Sequence, residues 1–135
     1  MTVQKQFKAL HISLWVVQVL LALAFGMAGF MKLIMPISEL AENGMGFVNH
    51  TPEGLVRFIG LTEVLGACGL IFPSVMRIKP DLTPLAAIGL AIIMLLAIYE
   101  HISQNEPIVA NFVLLTLSIF VAWGRYKTAP IHAKS

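Results

Sequence analysis

Charge is scarce in this chain: Asp, Glu, Lys and Arg make up 12% of its 135 residues, where a soluble domain carries about 25%. With 58% hydrophobic residues and a mean hydropathy of +0.84, there is too little polar surface to coat a water-facing globule. Cysteine is nearly absent as well. The single thiol, Cys68, excludes an intramolecular disulfide and a CxxC pair, and with them thiol–disulfide chemistry within one chain. No internal repeat and no low-complexity segment is visible. The net charge is only +2, and the basic residues form short flanks beside apolar runs instead of a patch interleaved with aromatics. Nucleic acid is therefore not an expected partner.

What is present is four apolar stretches, over about residues 12–31, 52–72, 84–101 and 107–123. A spanning helix needs about 20 mostly apolar residues. The expected fold is all-α: a polytopic membrane protein, an antiparallel four-transmembrane-helix bundle in contact with the lipid bilayer, forming one domain over residues 1–135. Short loops rich in Lys and Arg stay cytoplasmic. Lys5 and Lys8 precede the first span, Arg77 and Lys79 fill the second connection, and Arg125, Lys127 and Lys134 follow the last span. Both termini are accordingly expected in the cytoplasm, with the chain in a plasma or inner membrane. The first apolar run exceeds the roughly 7–15 residues of a signal-peptide core and lacks a small-residue cleavage site after it, so it is expected to remain as a span.

Thr51-Pro52-Glu53, Thr83-Pro84 and Asn105-Glu106-Pro107 read as capping signals for the second, third and fourth spans. Pro73 and Pro80 are expected to close the turn between the second and third. Pro36 to Glu42 predicts a short interfacial helix, broken by Asn43-Gly44 and Gly46. Trp15, Trp123 and Tyr99 fall where interfacial aromatic belts belong. Gly26 and Gly29 in the first span and Gly60 and Ala67 in the second mark faces where helices can approach closely.

Alternation of helix direction brings Lys32, Arg57, Glu63, Glu100, His101 and Asn111 toward one end of the bundle, the exterior end, and nearly all strongly polar intramembrane residues are expected there. Glu63 is the leading candidate. About eleven residues into its helix, it sits near mid-membrane, where a carboxylate is expensive unless paired, protonated or wet. It is open to two readings, a helix–helix hydrogen bond or a ligand, proton or substrate role. Lys32 and Arg57 are its cationic counterparts, each with snorkelling to the headgroups as the structural alternative. Arg57 lies roughly 9 Å along the axis from Glu63, which strains a direct pair. His101 at a helix C-terminus is explained by the dipole alone. Haem ligation fares badly, because His11 falls at the opposite face. Asn111 is expected to hydrogen-bond between helices.

The segments Phe25 to Leu33, Phe58 to Ile71, Pro84 to Leu90 and Phe120 to Arg125 resemble the DoxX-like family of small membrane proteins. The most specific parts are the aromatic-glycine run ending in Lys32, the Gly60 to Gly66 stretch containing Glu63, and His101. The resemblance implies a four-helix membrane bundle, with Lys32, Glu63 and His101, then Arg57 and Asn111, as ligand-binding positions. It also implies an accessory or anchoring role in a quinone-linked membrane redox system, with membrane redox proteins as partners. No catalytic residue is assigned. No haem, iron–sulfur, flavin or nucleotide motif is present, so no resident cofactor is expected, and the pocket would take a diffusing quinone or a lipid. The alternatives are an assembly factor or scaffold without a ligand, and a small proton-linked transporter. Four spans without an inverted repeat would require a homodimer for the last.

Overall fold

The computed structural model describes residues 2–134. Its helices are α1 (Val3–Ile34), α2 (Ile37–Glu42), α3 (Glu53–Met76), α4 (Leu82–Ser103) and α5 (Val109–Trp123), with a 3-10 turn at Gly46–Asn49 and a π-type turn at Gly124–Thr128. α1 starts at Val3, well before the expected Ile12: the polar residues Gln4, Lys5, Gln6 and Lys8 are good helix formers, and the Thr2 hydroxyl accepts from the Lys5 N–H at 3.2 Å. Met35 is extended at φ −75° and ψ 144°, because the following Pro36 disfavours helix in the residue before it. The expected α2 is present. It closes through Asn43 and Gly44, whose φ of +92° is open to glycine at no steric cost.

The most extensive packing is of α1 on α3, followed by α4 on α5 and α3 on α4, with a lighter α5–α1 contact closing the ring. The interior is made by Leu14, Leu21, Phe25, Leu70, Leu90 and Val121, all essentially inaccessible. A second cluster, Leu40, Val48 and Val56, fastens α2 and the 3-10 turn over the start of α3. Leucines and phenylalanines cover the outside instead: Leu23, Leu65, Leu96 and Phe112 are each more than half exposed. Four antiparallel helices are long and apolar enough to cross a bilayer, and a coat of this kind is stable only against lipid. The chain is a multi-pass membrane protein. Its tail folds back onto the end of α3, where the Lys134 N–H reaches the Arg77 carbonyl at 3.0 Å.

The capping signals work differently from expectation. Thr51 donates to the Phe47 carbonyl at 2.8 Å and ties down the 3-10 turn, while α3 starts behind Pro52 with no side-chain cap. Asn105 turns at φ 57°, Glu106 bonds to His101, and α5 begins only at Val109. Pro73 does not close the second connection. It lies inside α3, and residues Arg77 to Asp81 make the turn, with Arg77 and Lys79 both at positive φ.

An internal proline has no N–H for the carbonyl four residues back and crowds that turn. In lipid no water is at hand to satisfy the freed group. Here the Gly69 carbonyl, four before Pro73, accepts from the Thr83 hydroxyl at 3.0 Å. The Leu70 carbonyl, three before it, accepts from the Gln18 amide at 2.6 Å. Because Thr83 has only one hydroxyl proton, Ser74 must be the donor in the 2.7 Å Ser74–Thr83 contact. Thr83 is thus a buried brace within α4, not the cap of it. Thr83→Val is expected to cost about 1–3 kcal/mol, and less beside Pro73→Ala, where a backbone N–H replaces the hydroxyl. Unfolding of the four variants in detergent measures this cycle; an equal cost in both backgrounds would separate Thr83 from the proline.

Candidate functional site

Two glycines position the polar centre. A Cβ added at Gly60 would stand 2.7 Å from the Gly29 carbonyl oxygen and 2.8 Å from Lys32 Cβ; one at Gly29 would stand 2.7 Å from the Gly60 carbonyl oxygen and 2.9 Å from Glu63 Cβ. The α1 and α3 backbones therefore touch at this crossing, and each charged side chain starts over the other helix's glycine. Lys32 Nζ meets Glu63 Oε1 at 2.5 Å, with Glu63 1% and Lys32 8% exposed. Lys32 does not snorkel. It stays inside because a carboxylate waits there, and the Phe47 ring lies 5.9 Å from its ammonium.

Arg57 has a different task from the one its sequence position suggested. Its Nη1 donates to the Lys32 and Met35 carbonyls, both at 2.7 Å, and its Nη2 to Glu53 at 3.0 Å. The last carbonyls of a helix lack intrahelical partners, so Arg57 caps the C-terminus of α1 and pins it to the start of α3. It makes no contact with Glu63. His101 Nδ1 lies 2.5 Å from Glu106 Oε2, joining the end of α4 to the loop before α5. Asn111 reaches only the Met94 sulfur, at 3.8 Å, a weak contact where a firmer interhelical bond was expected.

Between α3 and α4 runs a cavity of about 940 Å³, within the roughly 300–1,000 Å³ of small-molecule sites. Lys32, Glu63, His101 and Asn111 border it toward one end; Pro73, Leu82 and Leu85 border it toward the other. Its rim residues Phe58, Leu65 and Leu85 belong to the exposed apolar surface, so it opens sideways into lipid. Gly66, Gly69 and Gly89 also line it. The first two carry no side chain because Leu90 and Ala86 of α4 press on them, whereas a Cβ at Gly89 would meet nothing within 4 Å. Four of the five candidate residues thus share one cavity, with Arg57 behind it.

The expectation that nearly all intramembrane polar residues gather at this end is overturned. At the other end a second buried cluster links α1 to the turn after α5. Arg125, 2% exposed, donates through Nε to Gln18 Oε1 at 2.6 Å and through Nη1 to the Ala129 carbonyl at 2.9 Å. The same Nη1 lies 3.0 Å from His11 Nδ1, and the guanidinium stacks over Trp15 at 5.5 Å. An arginine keeps its proton, so His11 Nδ1 must be the acceptor and its ring proton sits on Nε2. Among the described residues no carboxylate pairs with Arg125. Gln18, polar within an apolar run, was the available signal; Arg125 reads from sequence as one more cytoplasmic flank charge.

Four apolar spans closed around a buried Lys–Glu pair, with a lateral cavity between two of them, define a small polytopic membrane protein of the helical-bundle class. A sequence profile of the DoxX-like family matches residues 16–122, well over half of the chain. The chain belongs to the DoxX-like family. No curated protein and no solved structure matches it.

Proposed function

We propose that this protein is a non-catalytic, accessory component of a quinone-linked membrane redox system, and that the α3–α4 cavity receives the quinone. The observation that carries this reading is the cavity's polarity gradient: a long apolar groove open to lipid, with Lys32, Glu63, His101 and Asn111 toward one end. A quinone has the same division between carbonyl head and isoprenoid tail. Its head would lie against the polar end, where Asn111 and His101 can donate to a carbonyl oxygen, while the tail follows Leu85 and the glycine-lined floor. In this reading Lys32 and Glu63 supply a fixed dipole beside the head, and Arg57 holds α1 in place. Both termini are assigned to the cytoplasm on the distribution of Lys and Arg, which puts the polar end in the outer half of the membrane.

Gly89→Leu provides the test, since it fills the groove without touching the polar pair. Binding of a short-chain ubiquinone analogue to the purified protein, followed by isothermal titration calorimetry, should weaken at least about tenfold. A truncation of the site at His101→Ala should weaken it by less, about one hydrogen bond or 0.5–1.5 kcal/mol. Unchanged affinity in Gly89→Leu would remove the quinone from this cavity and leave the scaffold reading in its place.

A further inference from the structure

We infer that the cavity at the opposite, basic end is a binding site for an anionic phospholipid. This cavity, of about 1020 Å³, lies between the first turns of α1, the end of α3 and the tail, and is separate from the α3–α4 groove. Its wall includes Phe7, Trp15 and Val75, and its rim carries Lys5, Lys8 and Arg77. Among the described residues, no acidic side chain lines it. Lys5 and Trp15 are ten residues apart on one helix, so the site extends about 15 Å along α1, from a cationic rim to an aromatic interior. That order of chemistry, cations at the helix ends and apolar surface toward the membrane, matches one phospholipid with its phosphate at the rim and its acyl chains along the wall.

Two further observations support the site. Arg77 Nε is taken by the His132 carbonyl at 2.7 Å, and among the described residues its two terminal nitrogens have no partner, leaving a planar fork suited to phosphate oxygens. The same contact, with the Lys134 N–H on the Arg77 carbonyl at 3.0 Å, holds the tail in place, so that Pro130 and Ile131 form a fixed side of the cavity. A phosphate at the rim would meet Lys5, Lys8 and the free fork of Arg77, with no acidic side chain among the described lining residues to compete. The apolar wall is why the assignment is to a lipid and not to free phosphate.

The full-length protein in non-ionic detergent, titrated with phosphatidylglycerol or phosphatidylcholine of equal chain length and read by native mass spectrometry, tests this. Phosphatidylglycerol should bind and phosphatidylcholine should not. A cation near the membrane surface contributes roughly five-fold to anionic-lipid affinity, so Lys5→Gln with Lys8→Gln should lower it about 25-fold. Both lysines are exposed, and their replacement leaves the folded core intact. Lys127→Gln with Lys134→Gln, exposed cations that do not line the cavity, should leave affinity unchanged. Equal binding of the two lipids, full affinity in the Lys5/Lys8 variant, or an equal loss in the Lys127/Lys134 variant would overturn the assignment. Displacement of the lipid by an equal concentration of inorganic phosphate would do so as well, by showing that phosphate alone is recognised.

Discussion

Lys32→Met is expected to destabilise the bundle by about 3–5 kcal/mol, the cost of stripping one partner from a buried ion pair. The reason is the setting and not the pair's own strength. Glu63 is 1% exposed and halfway along a membrane helix, and its ion-pair partner is Lys32. Without Lys32 the carboxylate has neither water nor a cation to stabilise it. Glu63→Met should be nearly as harmful, because it strands an ammonium in the same place. The double variant Lys32→Met/Glu63→Met should recover most of the loss, since two apolar side chains of similar length fill the space without an unpaired charge. Reversible unfolding in mixed micelles yields the four stabilities of this cycle. Additive losses would mean that the two side chains act independently and would remove the pair from the centre of the fold.

The second large effect belongs to Gly60. Gly60→Ala is expected to cost about 1–3 kcal/mol, the range for overpacked interiors, and to fall toward the upper end. The new methyl would meet a backbone carbonyl at 2.7 Å, which cannot rotate away as a side chain can. Gly29→Ala meets the mirror situation and should behave alike. Gly26→Ala is the control on the same helix face: its Cβ would lie 3.6 Å from Ala67 Cβ, an ordinary contact, and the variant should be neutral within about 0.5 kcal/mol. The same unfolding assay separates the three. Equal tolerance at Gly26, Gly29 and Gly60 would show that α1 and α3 do not cross as closely as described. Pushing them apart also moves Lys32 away from Glu63, so Gly60→Ala should weaken the coupling measured in the first cycle.

Much of this architecture is written in the residues themselves. Spans of about 20 apolar residues, punctuated by prolines, leave helices as the sole option in lipid, and the small-residue faces around Gly29 and Gly60 correctly mark the tightest crossing. Glu63 was also legible, because a carboxylate at that depth demands a bundle-facing partner. Which cation would meet it was not. Lys32 and Arg57 have the same charge and lie near the same membrane face, and only the packing angle of α1 on α3 turns one toward Glu63 and the other toward the α1 carbonyls. Pro73 misled for a related reason: proline beside a loop normally ends a helix, but here Thr83, from the next helix, satisfies the Gly69 carbonyl it frees, and Gln18, from the first, braces the neighbouring Leu70 carbonyl. Local rules carry no information about such partners. The Arg125 cluster escaped notice because its members, His11, Gln18 and Arg125, are unremarkable one at a time; their contact joins positions 107 residues apart.

That separation bears on how the molecule is made. Ribosomes deliver α1 long before Arg125 exists, so Gln18 gains the Leu70 carbonyl when α3 enters the bilayer and then waits, half-satisfied, for the last helix. Insertion of the final hairpin brings the guanidinium that completes it, and the light seam between first and last helices is sealed at that moment. A chain released before this point would keep an unmatched amide facing hydrocarbon, a chemical mark by which an unfinished copy differs from a finished one.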